Sequence, residues 1–201
     1  MSHPDVKFDA FWRGISYLRQ VRRLALSPLM IDVIDDGGLA NYHHHREICT
    51  WIGENIQAVN ATLTDYLDAC HQCFALCDRP AIQIFATPLA EQFGIDGLCN
   101  IFVNPIAILI DVGRTSPNHW LGIVAHEYAH ACVGDVGHGE QFAKILTHLC
   151  LGLGLDLPIW EPETMEAWLS NYPHCQLMID PLAFWFGQPY NPDFSQVSYT
   201  S

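Results

Sequence analysis

Trp120-Leu121-Gly122-Ile123-Val124-Ala125-His126-Glu127-Tyr128-Ala129-His130-Ala131-Cys132-Val133 is apolar almost throughout, yet it carries two histidines and a glutamate at its centre. The apolar run ahead of His126 predicts a buried helix, and the three polar side chains enter the interior with it. Without partners each such group costs roughly 1–3 kcal/mol to bury, and a charge costs more. A helix turns once in about 3.6 residues, so His126 and His130 share a face while Glu127 sits roughly 100° around it. Two imidazoles aimed at one point, with a carboxylate beside them, suit a metal ion and a water that loses a proton. With 11 His in 201 residues, chance alone produces this five-residue pattern in about one such chain in forty. The competing reading is a pair of core histidines, each bonded to backbone carbonyls.

A catalytic zinc site takes three protein ligands and leaves a fourth position to water. The candidate third ligand is His138, reached through Gly134-Asp135-Val136-Gly137, whose glycines let the chain reverse without steric cost. Gly139-Glu140-Gln141-Phe142 then opens another helix, so a rigid element supports His138. Asp135, from the turn, and Glu140, one step into that helix, stand as alternatives. Glu140 also suits the helix N-terminus, where negative charge is favoured. Three imidazoles favour Zn2+ over calcium or magnesium, whose ligands are oxygens. In this reading zinc lowers the pKa of its water toward roughly 7 and Glu127 accepts the proton as general base.

His126-Glu127-Tyr128-Ala129-His130, followed by His138-Gly139-Glu140-Gln141-Phe142, resembles the HExxH…HGxxF pattern of the SprT-like (Spartan-type) zinc metallopeptidases. The likeness covers about residues 80–153. It implies a zincin-like fold, zinc on His126, His130 and His138, Glu127 as catalytic base and Phe142 in the core. It extends neither to the first 75 residues nor to the aromatic tail, and no zinc ribbon follows.

Outward from the motif, the chain reads as helices, then a small sheet, then helices: an α+β protein in one domain, 1–201. Residues 8–26 have helical apolar spacing, as do 45–77, with a possible break near Asn60-Ala61-Thr62. Asp35-Asp36-Gly37-Gly38 is a loop signal. Arg79-Pro80 ends the helical part (1–77). Residues 81–87 form a strand and 98–112 one bent strand or two short ones, arranged with the first as a hairpin in a mostly antiparallel sheet. Pro105 suits an edge or bulge because it cannot donate to the ladder. Helices then run from about 116 to 133 and from 139 to 153. Beyond 154 lies a wrapping tail rich in proline and aromatics, with one further helix over 162–170.

The chain carries a formal charge of -13. From Pro80 onward only Arg114 and Lys144 oppose twelve acids, a balance of about −10, which repels phosphate backbones and argues against nucleic acid. No export signal and no membrane-length apolar run is read, so the expectation is a soluble, cytoplasmic protein with eight free thiols.

Cys70, Cys73 and Cys77 fall at i, i+3 and i+7, the spacing of a buried helix face, which outweighs a second metal site. His43-His44-His45 reads as a surface loop and helix start. His119, two turns before His126, either lines the cleft or caps the helix. Tyr172, His174 and Tyr190 are candidate transition-state donors from the tail. Together these readings point to a zinc-dependent hydrolase cutting peptide or protein substrates, with the strand over 98–112 pairing with extended substrate. The alternative is a zincin fold kept as a binding or regulatory module with weak or no catalysis.

Overall fold

The computed structural model describes residues 4–31, 39–159 and 164–188. The Asp35–Gly38 loop signal and Tyr190 fall outside them. The chain begins with two long helices, α1 (Pro4–Arg22) and α2 (Leu39–Gln72). Ile48, Ile52, Ile56, Leu63, Leu67 and Cys70 form a buried stripe along α2, recurring at helical spacing. The two helices meet at backbone distance: a Cβ on Gly14 would lie 1.9 Å from the Cys49 carbonyl oxygen, and one on Gly53 only 1.8 Å from that of Ala10.

α2 does not break near Asn60. Asn60 Oδ1 instead accepts the Ala86 N–H at 2.8 Å, and Tyr17 Oη donates to the Ala86 carbonyl at 2.6 Å. Ala86 ends an edge strand, so these side chains satisfy backbone groups that a sheet neighbour would otherwise take. The polar residue that suggested a break ties α2 to the sheet.

The sheet consists of β1 (Ile82–Ala86), β2 (Gly97–Asn100) and β3 (Ile106–Ile110), in the order β1-β3-β2. The 98–112 stretch is therefore two short strands. β2 and β3 form the antiparallel pair, with Gly97 opposite Ile110. β1 runs parallel to β3, Ile82 opposite Ile106, which corrects the expected hairpin and mostly antiparallel sheet. The reason lies in β3: Ala107 to Ile110 are all 0% exposed, and a strand buried on both faces takes the centre. Pro105 sits in the turn just ahead of β3, where its missing N–H costs no ladder bond.

A single turn of 3-10 helix (Pro117–His119) leads into α3 (Trp120–Val133), followed by α4 (Glu140–Leu153). Two short helices complete the described chain, α5 (Met165–Ser170) and α6 (Leu182–Trp185). Residues 162–163 of the expected tail helix are outside the described part. The tail reaches the interior at Trp185, which is 0% exposed and donates from Nε1 to Asp111 Oδ1 at 3.1 Å. Asp111 also accepts the N–H of Leu89 and of Gly113, so one carboxylate joins β3, the β1–β2 connection and the tail. One hydrophobic cluster includes residues of α1, α2, all three strands, α3, α4, Leu169 of α5 and Trp185 of α6. The fold is α+β. Among the described residues no helix is long and apolar enough to cross a membrane.

Candidate metal centre

α3 is buried on nearly every side, from Gly122 through Ala131, as its apolar sequence requires. His126 and His130 project from one face, their Nε2 atoms 3.2 Å apart. The helix ends at Gly134, whose left-handed backbone (φ +71°) closes the last turn with an N–H to the His130 carbonyl. The chain reverses through Asp135–Gly137 and delivers His138, whose Nε2 is 3.2 Å from that of His126. The three ligand atoms lie within 4.8 Å of one another, the only such group of three among the described residues.

The outward ring nitrogens fix the tautomers. His130 Nδ1 lies 2.9 Å from the Asp135 carbonyl oxygen, which can only accept, so this nitrogen carries the proton. His138 Nδ1 faces Glu166 Oε1 at 3.1 Å and donates likewise. The inward Nε2 atoms of both rings are therefore bare lone pairs, and each lies 3.2 Å from Nε2 of His126. Burial, with the neighbouring His130 and His138, holds the His126 ring at a pKa of about 3. Bare nitrogen lone pairs gathered in a buried place call for a donor or a cation between them. A tetrahedral zinc with Zn–N of about 2.0–2.1 Å separates its nitrogens by about 3.3–3.4 Å, close to the two spacings seen here. The donor set fits zinc.

Phe142 packs against all three rings. It is 1% exposed, and its ring centroid lies 5.0, 4.5 and 4.8 Å from those of His126, His130 and His138. Glu127 lines the same cleft, one step around α3. Burial first, and then the nearby Asp96, raises its carboxyl pKa to about 8. Its place is created by Gly97 on β2: a Cβ there would lie 2.7 Å from Glu127 Oε1 and 2.9 Å from Cγ. Asp96 in turn accepts from Arg114 Nε at 2.8 Å.

The cleft measures about 1010 Å³. Gly97, Leu98 and Cys99 of β2 line it, as does the segment Ser170–Leu177. That segment is anchored by an N–H from Met178 to the Arg114 carbonyl and by Pro173 packed on Gly122. β2 is an edge strand.

The other candidates are distributed unevenly. Asp135 spends its carboxylate on the N–H of Val136 and Gly137, and joins the site only through its backbone carbonyl. Glu140 begins α4 and pairs with Lys144 at 2.7 Å, which leaves it a helix-end residue. His119 directly precedes α3 and is not among the cleft residues. Tyr172 lines the cleft, but its hydroxyl donates to the Asp156 carbonyl at 2.8 Å and meets Cys150 Sγ at 3.1 Å, turned from the triad. His174 lines the cleft too, edge-on to Trp168. His43–His45 lie within α2 and not in a loop. The cysteine face is shorter than its spacing suggested: α2 ends at Gln72, Cys70 is buried, and Cys77 is exposed in the next turn. All eight thiols are free.

Glu166 and Gly97 were not legible beforehand. The one sequence signal near Glu166 was the helix read over 162–170 in the wrapping tail. No family model, curated protein or solved structure matches this chain.

Proposed function

We propose that the protein is a zinc-dependent hydrolase, a metallopeptidase of the SprT-like, zincin type, with His126, His130 and His138 as ligands and Glu127 as catalytic base. The observation that carries this reading is the convergence of three Nε2 atoms in an open cleft, two of them fixed as lone pairs from outside, with a buried carboxylate beside them. Zinc bound there supplies a Lewis acid that makes a water nucleophilic at neutral pH and polarises a carbonyl. Glu127 accepts the proton of the attacking water at its carboxylate and returns it to the leaving amine. The β2 edge orients an extended peptide by backbone pairing, opposite the wall formed by Ser170–Leu177. Among the described residues the histidine group has no fourth protein member, which favours an open coordination position over a purely structural site.

The test is digestion of an unfolded protein by zinc-loaded wild type and by Glu127→Gln. The variant should keep its zinc and lose about 10²–10⁴-fold in rate. Equal hydrolysis by both would end the assignment of Glu127. Zinc binding without hydrolysis in either would favour a zincin-fold binding module.

A further inference from the structure

We infer that Glu166 is a positioning residue for the metal, holding His138 in its ligating pose; this rests on the reading of the triad as a zinc site. The three histidines are not equally secured. His126 and His130 stand on a buried helix, and Asp135 fixes the second ring from outside. His138 belongs to the connection between α3 and α4 and borrows its order from another part of the chain.

Both oxygens of Glu166 lie 3.2 Å from the His138 backbone nitrogen, and Oε1 is 3.1 Å from ring Nδ1. Among the described residues the N–H and Nδ1 of His138 have no other partner. A carboxylate only accepts, so Glu166 fixes both the backbone of the turn and the ring tautomer that leaves Nε2 bare. Charge-assisted bonds of this kind are roughly twice as strong as neutral ones. Glu166 itself is 69% exposed, while Leu169, one turn on, is buried and anchors α5. A side chain so open to solvent contributes little to the core, so its removal should act on the ligand and spare the fold.

The experiment is zinc affinity of the full-length, metal-stripped chain, measured by competition with a chromophoric chelator. Glu166→Ala should bind zinc about 10–100-fold more weakly, with the melting of the metal-free protein unchanged. Glu166→Gln keeps length and one acceptor but loses the charge, and should fall between alanine and wild type. Glu140→Ala removes the same charge from the neighbouring surface without touching His138, and should bind as wild type does. In a His138→Ala background, Glu166→Ala should produce no further loss.

Wild-type affinity in Glu166→Ala overturns the proposal, as does an equal loss in Glu140→Ala or in the His138→Ala background. Should the alanine variant fail to fold, unchanged affinity in Glu166→Gln overturns it. A wild-type chain that takes up no zinc overturns the metal reading itself, and this proposal with it.

Discussion

At His130 and His138 the outward ring proton is held by an oxygen, and that determines what the inward nitrogen can do. Glu127 depends on its surroundings in another way, through the absence of a side chain at Gly97. Because Cγ and Cδ as well as Oε1 of Glu127 lie within 3.0 Å of where a Cβ would stand, Gly97→Ala must shift the whole carboxylate group. Crowding of this kind costs about 1–3 kcal/mol of stability. A displacement near 1 Å at a catalytic group costs about 10²-fold in rate. The variant should therefore bind one zinc and hydrolyse about 10²-fold more slowly, read from metal content and peptide turnover together. Undiminished turnover would mean that Glu127 does not work from this position.

Among the elements, β3 and the tail are joined at Asp111, which takes three N–H donors from Leu89, Gly113 and Trp185. An amide at this position turns an NH2 toward at least one of those donors. Asp111→Asn should cost about 1–3 kcal/mol, seen as a lower denaturation midpoint at unchanged slope. Trp185→Phe keeps most of the buried ring and removes one bond, and should cost less, about 1 kcal/mol. The elements themselves were legible wherever the signal was local. The helices from 117 to 153 follow from apolar spacing and from the glycine turn at 134–137. The pairing of β1 was not legible, because the apolar pattern of a strand is the same beside a parallel or an antiparallel neighbour. Asn60 misled for a related reason: its side chain binds a strand backbone 26 residues away, and helix propensity does not report such a bond.

Over the whole molecule, the candidate metal centre draws on distant parts of the chain. α3 supplies His126, Glu127 and His130, the β2 edge accommodates Glu127, and the tail brings Glu166 and one cleft wall. A chain ending after Gly154 loses that wall, Glu166 and the buried Trp185 at once, and should neither melt cooperatively nor retain zinc. Calorimetry and metal content on that truncation check both expectations. Conversely, zinc at 100 times its dissociation constant should stabilise the intact protein by about 2.7 kcal/mol, visible as a raised Tm. The clustering of the three histidines was legible because two share a helix face and the third follows a glycine turn. Glu166 was not, since it reaches His138 across 28 residues and only through the docking of α5. The most direct measurement is X-ray absorption at the zinc edge on metal-loaded protein, with zinc quantified per chain. One zinc with three imidazole nitrogens at about 2.0–2.1 Å is expected. Sulfur at about 2.3 Å, or no stoichiometric zinc, would contradict a site on His126, His130 and His138.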